Sequence, residues 1–185
     1  QHGSERREGP RDGDGHLALP GLVDGHAHLD KTMWGLPWRK HSADPERGLA
    51  GLIGNERTGR RELPSVLDRA GALLDAYIER GATLIRTHVD VDLDNGVSAI
   101  EQVRQAADDR NRQIDVQIVA FPQSGMLVAP GTSDLLNAAM SAGADLVGGI
   151  DPAGFDGSPI EHLDAIFAIA DRHGAGVDLH LHDRG

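Results

Sequence analysis

From Leu17 onward, apolar runs alternate with amphipathic segments along the chain. Leu19-Pro-Gly-Leu-Val-Asp24 is apolar and ends in polar residues, the pattern of a short buried strand. Residues 35–61 are polar and dotted with Gly and Pro, and read as a long loop. Ser65 with Asp68 three positions later opens a helix whose apolar stripe is Leu67, Ala70, Leu74 and Ile78. Strands are predicted over Ala82–Asp90, Ile114–Phe121, Asp145–Ile150 and Val177–His182. Helices are predicted over Val97–Asp109, with Ile100, Val103 and Ala106/Ala107 on one face, and over Asp134–Ala142. Ser158-Pro159-Ile160-Glu161 opens the last helix with an N-cap, a Pro at N1 and a Glu at N3. Its expected buried stripe is Ile160, Leu163, Phe167 and Ala170, and Gly174 ends it.

Strands and helices in strict alternation imply a parallel sheet with right-handed crossovers. A doubly wound sheet and a barrel both fit that rhythm. The polar residues decide between them, because they gather at the C-terminal ends of the strands: His26/His28, His88/Asp90, Gln123, Asp151 and His180/His182/Asp183. In a (β/α)8 TIM-type barrel these positions converge on one mouth, where active sites are built. The fold expected is therefore α/β, a barrel with about five of its roughly eight βα units present. Residues 17–185 would be its N-terminal part. Residues 1–16 are polar, and both ends of the chain read as cut from something longer.

Composition narrows the chemistry. A net charge of −11 with scattered basic residues argues against a nucleic-acid or anionic-membrane surface. There is no Cys, so a metal would have to be held by His and carboxylate. The absence of Cys fits the cytoplasmic location expected, without fixing it; no apolar run approaches a membrane span and no signal-peptide core opens the chain.

With ten His in 185 residues, an H-x-H triplet arises roughly 0.5 times by composition alone, so His26-Ala27-His28 needs support from its position. On a strand, positions i and i+2 face the same way, which would put two imidazoles into the barrel interior. Backbone and carboxylate partners could satisfy them, or a shared cation could. His180, near another strand end, could complete a three-His set suited to Zn²⁺ or Fe²⁺, with room for a carboxylate and a water. Lys31 could polarise a ring nitrogen or stand solvated in a loop. His88 and Asp90 could support the site or belong to strand packing, and Trp34 and Trp38 could line a pocket or pack on the rim. His2, His16, His41, His162 and His173 are expected to face solvent. Gly148-Gly149 has neither dinucleotide nor P-loop spacing.

The segment PGLVDGHAHLDK resembles the first-strand metal motif of the amidohydrolase superfamily. Arg86-Thr-His-Val-Asp-Val91, Ile118-Val-Ala-Phe-Pro-Gln-Ser-Gly125 and Asp178-Leu-His-Leu-His-Asp183 narrow the resemblance to its cytosine deaminase-like branch. The resemblance implies a barrel with a small β-sandwich, of which residues 1–16 would be a remnant. It implies one divalent ion, Zn or Fe, with His26, His28 and His180 among its ligands. Gln123 resembles the glutamine that hydrogen-bonds the amide edge of a pyrimidine-like ring. Asp183 stands where cytosine deaminases carry a glutamate proton shuttle, one methylene longer. Lys31 departs from cytosine deaminases and matches the catalytic lysine of isopropylammelide amidohydrolases.

The implied function is hydrolytic removal of an amino or alkylamino group from a nitrogen heterocycle, cytosine-like or triazine-like, by metal-activated water. The alternatives are a cyclic-amide hydrolase using the same site, or a truncated, non-catalytic half-barrel. The partners expected are a small heterocycle and further copies of the chain in a homo-oligomer. The family's strand-six histidine and strand-eight aspartate would lie beyond Gly185, and a chain ending there would be inactive.

Overall fold

The computed structural model describes residues 13–39, 51, 54–56, 59 and 63–181. Its elements are β1 (Leu22–Ala27), α1 (Val66–Glu79), β2 (Ala82–Asp90), α2 (Ser98–Asp108), β3 (Asp115–Phe121), α3 (Thr132–Ser141), β4 (Leu146–Ile150), α4 (Pro159–His173) and β5 (Gly176–His180). A 3₁₀ turn at Leu29–Lys31 follows β1 directly. Each element lies within a few residues of its prediction. The main shift is β1, which starts at Leu22 and runs on through Ala27. Residues 51, 54–56 and 59 are helical where a loop was expected.

The five strands pair in parallel, in the order β1-β2-β3-β4-β5. A doubly wound sheet would reverse its order at a switch point. This one never does, so it winds in one direction as a half-barrel. Its curl has a direct measure. Arg86 Nη1 on β2 lies 2.7 Å from Asp178 Oδ2 on β5, three strand steps away. On a flat sheet, at about 4.8 Å per step, those strands would stand about 14 Å apart. The side chains therefore meet across a concave interior.

Helices close the other face. Ile85, Ile118 and Val147 of the sheet pack with Leu74, Ile100, Val103, Leu136 and Ile166 of the helices in one buried core. Helix α1 starts where Ser65 Oγ accepts the Asp68 amide N–H (3.1 Å), and it buries Ala70 and Leu74. Gly174 ends α4 at φ 61, and the Ala175 N–H returns to the Ala170 carbonyl, a closure that needs a residue tolerant of positive φ.

Helix α4 also corrects an expectation. Its buried face is His162, Ile166, Ile169 and Ala170, while Ile160 and Phe167 are 71% and 50% exposed. Ser158 makes no side-chain cap bond. The helix carries two apolar stripes, and the one that faces the sheet is the one with a histidine in it. His162 donates from Nδ1 to Asp156 Oδ2 (2.5 Å) in a pair whose side chains are both fully buried. No helix among the described residues is long and apolar enough to cross a membrane.

The Gly148-Gly149 pair has a packing role. A Cβ on Gly148 would stand 2.7 Å from the Ala120 carbonyl oxygen, and one on Gly149 only 2.2 Å from Leu179 Cδ2 and 2.8 Å from His162 Nε2. Strand β4 therefore lets its neighbours and α4 close in where any side chain would push them apart. Gly149→Ala is expected to cost about 1–3 kcal/mol by overpacking. Urea unfolding reads this as a lower midpoint, and an unchanged midpoint would contradict the close approach.

Candidate metal centre

The register of β1 against β2 breaks between Asp24 and Ala27, the stretch that carries His26. Asp24 pairs with Ile85 and Ala27 with Thr87, so three residues advance on β1 against two on β2. One extra residue makes a bulge, which re-aims the side chains around it. Asp24 holds the bulge from both oxygens. Oδ1 accepts the His26 amide N–H (3.0 Å) and Oδ2 accepts the Tyr77 hydroxyl of α1 (2.5 Å). Burial, reinforced by this bond to Asp24, pushes the Tyr77 hydroxyl up to about 12. Beyond the bulge the chain is tied down again. The Leu29 amide donates to Thr87 Oγ1 (3.0 Å), the Asp90 amide donates to Asp30 Oδ2 (3.1 Å), and Arg69 Nη1 donates to the Thr32 carbonyl (2.8 Å).

The curl then brings three imidazoles together from β1, β2 and β5. His26, His88 and His180 each offer a nitrogen, and these three atoms lie within 4.8 Å of one another. The ring centroids stand 4.3 Å apart for His26–His88 and 5.0 Å for both His26–His180 and His88–His180. His28 stands beside this trio, its ring 5.2 Å from His26 and 5.7 Å from His88. Strand β1 ends at Ala27, and His28 opens the 3₁₀ turn at φ −131, ψ 81.

The donor chemistry suits a cation. His28 Nδ1 lies 3.1 Å from the His88 carbonyl, which can only accept, so the proton is on Nδ1 and Nε2 keeps its lone pair. Burial, with the Lys31 charge beside it, lowers the His28 pKa to about 4, leaving a neutral ring at pH 7. His88 is 1% exposed, and burial lowers its pKa too, against the pull of Asp178. Its Nδ1 is buried with no hydrogen-bond partner among the described residues. A buried ring nitrogen without a hydrogen-bond partner is costly, whether it carries a hydrogen or a lone pair.

Lys31 is not a solvated loop residue. Its side chain is 15% exposed, and Nζ lies 2.9 Å from Asp90 Oδ1, 3.3 Å from Gln123 Oε1 and 3.7 Å from Glu56 Oε1. The structure thus joins Lys31 to Gln123. Asp183 and His182 lie outside the described residues. Trp34 packs under the Arg80 guanidinium, 5.6 Å from its centroid, and Trp38 is exposed.

His88, expected either to support the site or to belong to strand packing, stands in the close trio. His162, expected in solvent, is buried against Asp156, whose carboxylate also accepts the Met126 (3.0 Å) and Val128 (3.2 Å) amides. That carboxylate pins the segment that follows Gln123.

A family model described as the amidohydrolase family matches residues 11–185. The chain belongs to that family. Among curated relatives, N-isopropylammelide isopropyl amidohydrolase of Pseudomonas sp. (strain ADP) is 32% identical over 94% of this chain and 44% of its own length. The crystal structure of N-isopropylammelide isopropylaminohydrolase from Burkholderia multivorans ATCC 17616 superposes with a TM-score of 0.84 at 47% identity, over 93% of this chain and 43% of that one. The 5-methylcytosine deaminase from Klebsiella pneumoniae, crystallised with phosphonocytosine, gives 0.73 at 29% identity, over 89% of this chain and 40% of that one. The chain therefore spans less than half the length of these relatives.

The Asp156 pair supplies a test of how this half-barrel holds its Gln123 segment. Burial works to raise the Asp156 pKa, but the His162 hydrogen bond and the amides of residues 126–128 outweigh it and hold the pKa below the usual 3.8. A depressed carboxylate contributes stability that is present above pH 3.8 and is lost as pH falls through the lower folded value. Asp156→Asn is expected to cost about 3 kcal/mol at pH 7. Chemical unfolding should show the gap between the two proteins shrinking below pH 3.8, and a pH-independent gap would contradict the assignment.

Proposed function

We propose that this amidohydrolase chain carries one divalent cation, zinc or iron, on its histidine cluster. It would serve the hydrolytic removal of an amino or alkylamino group from a nitrogen heterocycle. The observation that carries the reading is that His26, His88 and His180 each bring one ring nitrogen within 4.8 Å of the other two, from three different strands. His28, with its Nε2 lone pair held available by the bond to the His88 carbonyl, is proposed as a further ligand. When bound, the cation would supply Lewis acidity and activate water toward an sp² ring carbon.

The chain's own residues take the remaining tasks. Gln123 orients the ring, and Lys31 both orients Gln123 and presents positive charge to the ring edge. Asp183, three residues beyond His180, is proposed to carry the proton from the attacking water to a ring nitrogen and then to the leaving amine. The names of the relatives support both a triazine-like and a cytosine-like ring. The Lys31–Gln123 bond favours the triazine-like one, since it makes the lysine part of the ring-binding group.

Metal analysis of the purified chain tests the core of this. About one Zn or Fe per chain is expected, falling to background in His26→Ala/His180→Ala. Amine release, measured on an alkylamino-triazine and on cytosine, then ranks the two rings. A metal-free protein whose thermal unfolding is unmoved by added Zn²⁺ would overturn the proposal.

A further inference from the structure

Beneath the histidine trio lies a second polar layer that the site does not account for. Arg86 and His88 stand two residues apart on β2, and Asp178 and His180 two apart on β5, so each pair shares one face of its strand. The upper members are the imidazoles. The lower members, Arg86 and Asp178, meet across the barrel interior with Arg86 Nη1 2.7 Å from Asp178 Oδ2. Arg86 Nε donates to Gln117 Oε1 of β3 (2.8 Å), which fixes the guanidinium from its other side. The remaining carboxylate oxygen, Asp178 Oδ1, lies 3.2 Å from His88 Nε2.

Donor and acceptor chemistry fixes the proton in this arrangement. A carboxylate only accepts, so His88 Nε2 carries hydrogen and points it at Asp178. A second hydrogen on Nδ1 would be buried with no acceptor among the described residues. The neutral ring protonated on Nε2 is therefore the form that the surroundings favour, and its lone pair lies on Nδ1.

We propose that Asp178, clamped by Arg86, is the positioning residue that selects this tautomer, so that capture of a divalent cation by the His26/His88/His180 group depends on it. The proposal rests on the reading that this group binds a metal. A carboxylate behind a ligating imidazole fixes both its tautomer and its ring orientation. Here the carboxylate is itself oriented by a group that can only donate.

That last point makes the inference testable. In Asp178→Asn, Arg86 can bond only the amide oxygen, which turns the amide N–H₂ toward His88 Nε2. The imidazole must then accept at Nε2 and carry its hydrogen on Nδ1, the wrong tautomer for binding. Affinity for Zn²⁺ and Co²⁺, measured on the full chain by competition with a chromophoric chelator, is expected to fall about 10–100-fold. Replacing the clamp as well, in Asp178→Asn/Arg86→Met, frees the amide to flip, and affinity should recover part of the loss. A merely structural role predicts the opposite, with the double variant weaker than the single one.

Circular dichroism of the metal-free variants shows whether they fold. Should Asp178→Asn not fold, ¹⁵N imidazole shifts of the wild-type metal-free chain decide, with His88 expected as the Nε2–H form. Wild-type binding of one ion with Asp178→Asn within about twofold of it would overturn this inference and leave the metal site standing. A double variant weaker than the single one, or His88 found as the Nδ1–H form, would also overturn it. A wild-type chain that binds no ion would remove the metal reading and this inference together.

Discussion

The curl of the sheet is the constraint on which everything else depends. Parallel strands laid down in chain order, each twisted in the same sense, bend round until β1, β2 and β5 face one another across a concave interior. Polar side chains pointing into that space lose water and must find partners on strands far away in the sheet. Arg86 finds Asp178 and Gln117, and Asp178 finds His88. None of these bonds is local in sequence; Gln117 lies beside Arg86 on the neighbouring strand, while the contacts of Arg86 and His88 with Asp178 need the curl. The same geometry brings the three imidazoles together one step nearer the mouth. The ligand layer and the layer that holds it are thus two consequences of one curvature.

Positions at the mouth are then trimmed by devices that interrupt regular structure. The β1 bulge, gripped by Asp24 and Tyr77, aims His26. The 3₁₀ turn, bonded to Thr87 and Asp90, delivers Lys31 to the acid at the end of β2. On the far side, Asp156 and His162 pin the segment after Gln123 from beneath. In each case a side chain in the interior or on a helix sets the backbone of a loop, so groups on loops acquire the fixed placement of the strands.

Most of the architecture was legible because its punctuation is chemical. Gly81, Gly143 and Gly174 mark helix ends, Pro159 marks a start, and polar residues at strand ends separate a barrel from a doubly wound sheet. What failed shares one cause. Period-two and period-3.6 patterns describe isolated elements, and the misread residues answer to partners elsewhere. His162 looked like a surface residue because its partner, Asp156, sits in the preceding loop. That pairing also chose which stripe of α4 faces the sheet. Asp183 and the polar segment 1–12 lie outside the described residues, and their roles stand as sequence expectations.

The ring edge proposed to meet Gln123 follows from one hydrogen bond. A primary amide offers an acceptor and two donors, and alone it could read either an N–H or a carbonyl edge. An ammonium can only donate, so the Gln123 atom 3.3 Å from Lys31 Nζ is the oxygen. With its acceptor engaged, Gln123 has its N–H₂ to offer, and a ligand must answer with oxygen or an unprotonated ring nitrogen. Lys31 is not a naked charge there, because Asp90 at 2.9 Å and Glu56 at 3.7 Å offset it. On the proposed function, the edge selected is therefore acceptor-rich and need not be strongly anionic. Lys31 thus acts on ring choice through the amide it orients as well as through its charge.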